Sequence, residues 1–85
     1  MFFHGPMPEA IMLINAEVGK ESEVLEAICA MPEAEKAYLV YGVYDIVVMV
    51  RTKTMAELEE SVSTKLRKVP GIRSTLTLIV SRECK

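Results

Sequence analysis

Residues 46–50 read Ile-Val-Val-Met-Val, five consecutive apolar side chains closed off by Asp45 on one side and Arg51 on the other. The run is short and rich in β-branched residues, which marks a buried strand rather than a helix. Successive side chains of a strand point to opposite faces, so an unbroken apolar run needs cover on both. Any fold for this chain must place these residues inside a sheet with something packed on each side.

The flanking sequence supplies the remaining elements. A first strand is expected over 10–18, with Met12, Ile14, Ala16 and Val18 on one face and Ile11, Leu13, Asn15 and Glu17 on the other. Gly19-Lys20 turns the chain. A helix is expected over 21–31, with Val24, Leu25, Ile28 and Met31 on one stripe and Glu21 and Glu23 in the first turn, where the helix dipole favours them. Pro32 stops it. A second strand follows over 34–41, and Gly42-Val43 turns it into a third over 44–51, a link short enough to imply an antiparallel hairpin.

A second helix is expected over 54–69. Thr54-x-x-Glu57 forms a capping box at its start, and Met55, Leu58, Val62, Leu66 and Val69 form its buried stripe. Pro70-Gly71 ends it, and 72–80 is the last strand. There Leu76, Leu78 and Val80 alternate against Thr75, Thr77 and Ile79.

The order β-α-β-β-α-β with right-handed crossovers gives a ferredoxin-like α+β sandwich: an antiparallel sheet, strand order 4-1-3-2, with both helices on one face. Two consequences follow. The end of strand one, the Gly42–Asp45 turn and the start of strand four gather at one end of the sheet. The face without helices carries Ile11, Leu13, Val47, Met49 and Ile79, and leaving each wet forfeits roughly 1.5–3 kcal/mol. A homodimer that closes a dimeric α/β barrel is therefore expected. The hydrophobic fraction, 51% of 85 residues, agrees: it exceeds what one small domain easily hides.

Composition excludes several classes. Net charge is −2 with signs interspersed, so direct nucleic-acid binding is not expected. No apolar run reaches a bilayer span, and Met1-Phe2-Phe3-His4-Gly5-Pro6 lacks the form of a signal peptide, so a cytoplasmic protein without membrane contact is expected. The irregular arm is placed at 1–9 and the domain at 10–81. Cys29 and Cys84 show no metal or redox spacing and read as a small helix side chain and a free terminal thiol. The single histidine, His4, lies in the arm. With no carboxylate pair, phosphate loop or metal-ligand cluster, neither catalysis nor a cofactor is expected.

Asp45 has two readings. Its carboxylate accepts backbone N–H groups in the turn, or it receives the ammonium of a small ligand. Thr75 and Thr77 are ordinary strand residues, or their hydroxyls receive a ligand carboxylate. Tyr38, Tyr41 and Tyr44 pack, or close a pocket at a subunit seam.

Taken together, Gly42-Val43-Tyr44-Asp45-Ile46-Val47-Val48, the helix after it, and Pro70-Gly71-Ile72-Arg73-Ser74-Thr75-Leu76-Thr77 resemble the C-terminal effector (RAM) domain of the Lrp/AsnC regulators. The resemblance covers nearly the whole chain. It implies dimers that assemble into rings and an amino acid or related small effector bound between dimers. It places Gly42, Val43, Tyr44 and Asp45 at that site, with Thr75 and Thr77 close by. A counterpart of the helix-turn-helix domain of full-length regulators is not expected, since nine residues precede the first expected strand. A stand-alone, non-enzymatic effector domain is the expectation, acting through a partner such as a full-length Lrp/AsnC regulator. The alternative is a structural or adaptor ring that co-assembles with such a regulator and binds no ligand. Enzymes on dimeric ferredoxin-like barrels need an inward-facing ionisable group, which the expected core faces lack; the ACT sensor domain shares the topology but fits the turn less well.

Overall fold

A computed structural model describes residues 7–85. The elements are β1 (Glu9–Ala16), α1 (Glu21–Cys29), β2 (Ala34–Leu39), β3 (Ile46–Arg51), α2 (Met55–Glu60) and β4 (Ile72–Ile79). Beyond Glu60 the second helix continues through a π-helical stretch (Ser61–Lys65) and a closing 3₁₀ turn (Leu66–Lys68). The sheet order is β2-β3-β1-β4, every neighbouring pair antiparallel, as the topology argument requires. The arm expected at 1–9 falls mostly outside the described residues, as does His4; Glu9 already belongs to β1.

The core lies between the sheet and the two helices. Met12 and Ile14 of β1, Ile46, Val48 and Val50 of β3, Val24 and Ile28 of α1, and Leu58 and Leu66 of the second helix are all essentially solvent-free. Alternation in β1 and β3 is strict, one residue buried and the next half-buried, which is what an apolar strand covered on one side by helices displays. Leu25, Met31 and Val69 pack against the edge of this core. Met55, expected in the buried stripe, is 47% exposed, because it lies in the first turn, beyond the sheet.

The opposite face is apolar and uncovered. Ile11 and Leu13 stand opposite Met49 and Val47 on one side and Leu78 and Leu76 on the other, and Tyr38 extends the row onto β2. This corrects one expectation: Ile79 stands opposite Ala10, on the helix side, and Leu76 and Leu78 take its place on the open face. Thr75 and Thr77, paired with Ile14 and Met12, also lie on the helix side. Alternation fixes which residues share a face; only the register against β1 decides which face that is.

Several boundaries move. β1 stops at Ala16, where a register shift interrupts its pairing with β4, so Val18 is out of the strand and 90% exposed. β2 ends at Leu39 and β3 begins only at Ile46, which leaves residues 40–45 as a six-residue connection rather than a two-residue turn. The ends of this loop are tied together by the Val40 N–H donating to the Asp45 carbonyl at 2.8 Å. In the expected capping box, Thr54 Oγ1 accepts the Glu57 N–H at 3.2 Å, while Glu57 Oε1 accepts from Lys53 rather than from Thr54. The second helix is not α-helical to its end. Ser63 Oγ donates to the Glu59 carbonyl within the interrupted stretch, a competing bond of the kind that loosens a helix ladder.

Candidate functional site

Three loops converge at one end of the sheet, and hydrogen bonds weld them together. The Ala16 N–H, released where β1 loses register, donates to Asp45 Oδ2 at 2.9 Å. The Asp45 N–H donates to the Ile14 carbonyl at 3.0 Å. One residue further, the Glu17 N–H donates to the Gly71 carbonyl at 2.7 Å. Asp45 thus fastens the turn to the end of β1, and Gly71 fastens the start of β4 to the same segment. The first reading of Asp45 holds in altered form: its carboxylate accepts a backbone N–H, but one from β1 rather than from its own turn.

The outer part of the loop is bare. Tyr41 and Val43 are 105% and 86% exposed, and Gly42 sits between them at φ +149°, a value that suits glycine. Tyr44 and Asp45 are half-buried.

Thr75 and Thr77 are half-buried on β4, on the far side of β1 from Asp45. Two strand spacings, about 10 Å, separate the Asp45 backbone from the row of Thr75, and Thr77 lies roughly 7 Å further along. Within one protomer, Gly42, Val43, Tyr44 and Asp45 form one group and Thr75 and Thr77 a second. β1 stands between them.

Sequence reasoning passed over two arginines. Arg67, from the closing turn of the second helix, and Arg73, at the start of β4, line a groove of about 400 Å³ with Ile72, Ser74 and Thr75. A larger groove, about 680 Å³, lies at the other end of the sheet, where Arg51, Lys53 and Lys65 face Glu33, Glu57 and Glu60. There the charges are largely spent on one another. Arg51 Nη2 lies 2.8 Å from Glu9 Oε2, and that hydrogen bond is the main cause of its raised pKa. Lys65 Nζ lies 3.1 Å from Glu33 Oε2, which also accepts from Ser61 Oγ at 2.8 Å. Burial pushes the Glu33 carboxyl up, but hydrogen bonds from its own backbone N–H, Ser61 and Lys65 outweigh it and hold it below the usual range.

Both Cys29 and Cys84 are exposed and free; Cys29 is therefore not a packing residue. Among the described residues no group of His, Cys, Asp and Glu is placed to hold a metal ion, and no helix is long and apolar enough to cross a membrane.

Comparison with known proteins adds the following. A family model described as the Lrp/AsnC ligand binding domain matches residues 9–85. The HTH-type transcriptional regulator FL11 of Pyrococcus horikoshii is 36% identical over 76 residues, which are 89% of this chain and 50% of FL11. The leucine-responsive regulatory protein of Haemophilus influenzae is 32% identical over 75 residues, 88% of this chain and 45% of that protein. The chain thus spans about half the length of the curated relatives it matches. Among solved structures, the hypothetical protein PHS023 from Pyrococcus horikoshii superimposes with a TM-score of 0.83 at 44% identity, covering 91% of this chain and 93% of that one.

Proposed function

Since the chain belongs to the Lrp/AsnC ligand binding domain family, whose named relatives here are transcription regulators rather than enzymes, we propose that it is a non-enzymatic, oligomeric sensor of an amino acid or related small effector, which it binds at a seam between subunits. The observation that carries this reading is the welded but bare loop: Asp45 is fixed at its base while Tyr41 and Val43 stand almost fully in solvent. Large apolar side chains held out beside a fixed carboxylate make a surface that a second molecule covers.

On this reading the ammonium of the ligand meets Asp45 and its carboxylate meets the Thr75/Thr77 strand, at the end of the sheet where the Asp45 carboxylate rests on Ala16 and the bare loop leaves room for a second protomer. The uncovered face around Ile11, Leu13, Val47, Met49, Leu76 and Leu78 supplies the homodimer, and the bare loops supply contacts between dimers in a ring. Effector binding then shifts the assembly equilibrium, and assembly reports to a partner such as a full-length Lrp/AsnC regulator in the cytoplasm. DNA contact belongs to that partner, since no extended basic surface is present among the described residues.

The test is a thermal-shift panel of the standard amino acids on the wild type, Asp45→Asn and Asp45→Ala. Asparagine keeps an acceptor for the Ala16 N–H and removes the charge. The expected result is a stabilising amino acid for the wild type and none for Asp45→Asn, with the variant still folded. Binding that survives in Asp45→Ala removes Asp45 from the site.

A specific observation favours a second reading. Asp45 already has a structural partner in Ala16, which is what an adaptor ring without a ligand requires of it. Recovery of a helix-turn-helix regulator in a pull-down, with an empty ligand panel, selects that reading.

A further inference from the structure

We propose that the groove outside the first half of β4, lined by Arg67, Arg73, Ser74 and Thr75, is a carboxylate-binding site and takes the carboxylate end of the effector. For the identity of its ligand the inference rests on the sensing role proposed above; for its chemistry it stands on the groove itself.

Charge separates the two grooves described above. The larger one sets carboxylates against its cations, and two of those cations are already engaged: Arg51 with Glu9 and Glu35, and Lys65 with Glu33. An incoming anion there meets the carboxylates of Glu33, Glu57 and Glu60, and of the three cations only Lys53 has no ion pair among the described residues. The smaller groove has two guanidinium groups and no carboxylate in its lining. Neither Arg67 nor Arg73 forms an ion pair among the described residues. Guanidinium presents a fork of donors that fits a carboxylate, and its charge persists at every physiological pH.

Three further features fit a small carboxylate. Ser74 and Thr75 add hydroxyl donors to the same lining. β4 is an edge strand, so alternate backbone N–H groups along it point away from β1 toward the groove side of the sheet. The volume, about 400 Å³, falls at the small end of the range for ligand pockets. One feature opposes an anion. The groove lies beside the carbonyl end of the second helix, which carries roughly half a negative charge. Two full positive charges outweigh it.

The groove also explains how Thr75 takes part in binding although it lies on the helix side of the sheet. Thr75 faces the second helix, and the end of that helix brings Arg67 to it. Thr77 is not in the lining, so of the two threonines Thr75 is the one that meets the ligand.

The experiment is a titration of the wild type, Arg67→Gln, Arg73→Gln and the double variant. The probes are the standard amino acids, their amides, their decarboxylated amines and the matching 2-oxo acids. Hydrogen bonds to a charged group are worth about 1.5–3 kcal/mol, so the double variant is expected to bind a carboxylate probe at least about tenfold more weakly. Amides and amines, which lack the carboxylate, are expected to bind wild type and double variant alike. An amino acid that binds wild type and double variant equally overturns the groove and leaves the sensing role standing. A 2-oxo acid that binds through the arginines while no amino acid binds upholds the groove and overturns amino-acid sensing. No response to any probe overturns both. Each variant is checked for an unchanged circular-dichroism spectrum and an unchanged unfolding midpoint without ligand, so that a lost site is not mistaken for a lost fold.

Discussion

Gly71 offers a measurement that separates two kinds of strain. Its φ is +93°, and a Cβ placed on it meets Val24 Cγ2 at 3.0 Å and Lys20 Cβ at 3.2 Å. Gly19 has a similar φ, +84°, with nothing within 4 Å of the corresponding Cβ. Gly19→Ala therefore incurs only the left-handed backbone penalty of about 1–2 kcal/mol, partly offset by about 0.4–1 kcal/mol from a stiffer unfolded chain. Gly71→Ala incurs the same penalty and also forces a methyl against the buried Val24. Overpacking of that kind adds about 1–3 kcal/mol. The expected losses are roughly 1 kcal/mol for Gly19→Ala and roughly 2–4 kcal/mol for Gly71→Ala. Val24 Cγ2 cannot easily yield, because Val24 is fully buried on α1. Urea unfolding at one fixed protein concentration reads both, since subunit association shifts apparent stability by mass action. Equal losses in the two variants refute the argument that close packing of α1 on the Pro70-Gly71 turn fixes this end of the molecule.

The remaining predictions test other parts of the fold. Thr54→Ala removes the acceptor for the Glu57 N–H and is expected to cost about 1 kcal/mol, with Thr54→Ser close to wild type by chemical denaturation. Glu33 titrates below its unfolded value of 4.5, so the ionised carboxylate stabilises the native state above that value, and the contribution disappears as pH falls through the lowered one. Between about pH 7 and about pH 3, the urea midpoint of wild type should therefore fall further than that of Glu33→Gln; parallel falls exclude Glu33 as a source of acid sensitivity. Leu13→Glu puts a charge at the centre of the uncovered face, between Val47 and Leu76. Sedimentation velocity is expected to find smaller species with secondary structure retained, and an unchanged coefficient means that another surface holds the subunits together.

Much of the fold was legible because the local signals agree. The unbroken run at 46–50 demanded a doubly covered strand, Pro32 and Pro70-Gly71 punctuated the helices, and the short connections limited the topology to one arrangement. What stayed hidden depends on register and on contacts distant in sequence. Ile79 and the two leucines of β4 exchange faces on a choice that only the pairing with β1 makes. Val18 continues the alternation of β1 perfectly, yet the register shift after Asn15 ends the strand before reaching it. The interruption in the second helix has a local source in Ser63, but it sits inside a faultless apolar stripe, so periodicity could not reveal it. Arg67 read as one more charge on a solvated helix face. Its proximity to Arg73 follows from the tight Val69-Pro70-Gly71 connection, a signal present in the sequence but silent until the strand beyond it is placed.

That connection also explains why a chain of net charge −2 carries a groove lined with cations. The second helix places Glu57 in its first turn and Lys65, Arg67 and Lys68 near its end, the distribution its dipole favours. Packing on the sheet then delivers Arg67 to the start of β4 and Glu57 and Glu60 to the opposite groove, whose lining also holds Arg51, Lys53 and Lys65. The helix charges that stabilise the element therefore differ in consequence at its two ends. At the amino end they meet counterions from the chain itself. At the carboxyl end Arg67 and Arg73 line one groove whose lining holds no carboxylate. The open face of the sheet is apolar from Tyr38 to Leu78, and Asp45 is fastened to Ala16. The outer edge of β4 carries Arg67 and Arg73, neither in an ion pair among the described residues, and it lies at the same end of the sheet as the bare loop around Tyr41 and Val43. Under the proposed sensing role, a second protomer that sets its loop against this edge brings a second Asp45 toward the ligand of the arginines.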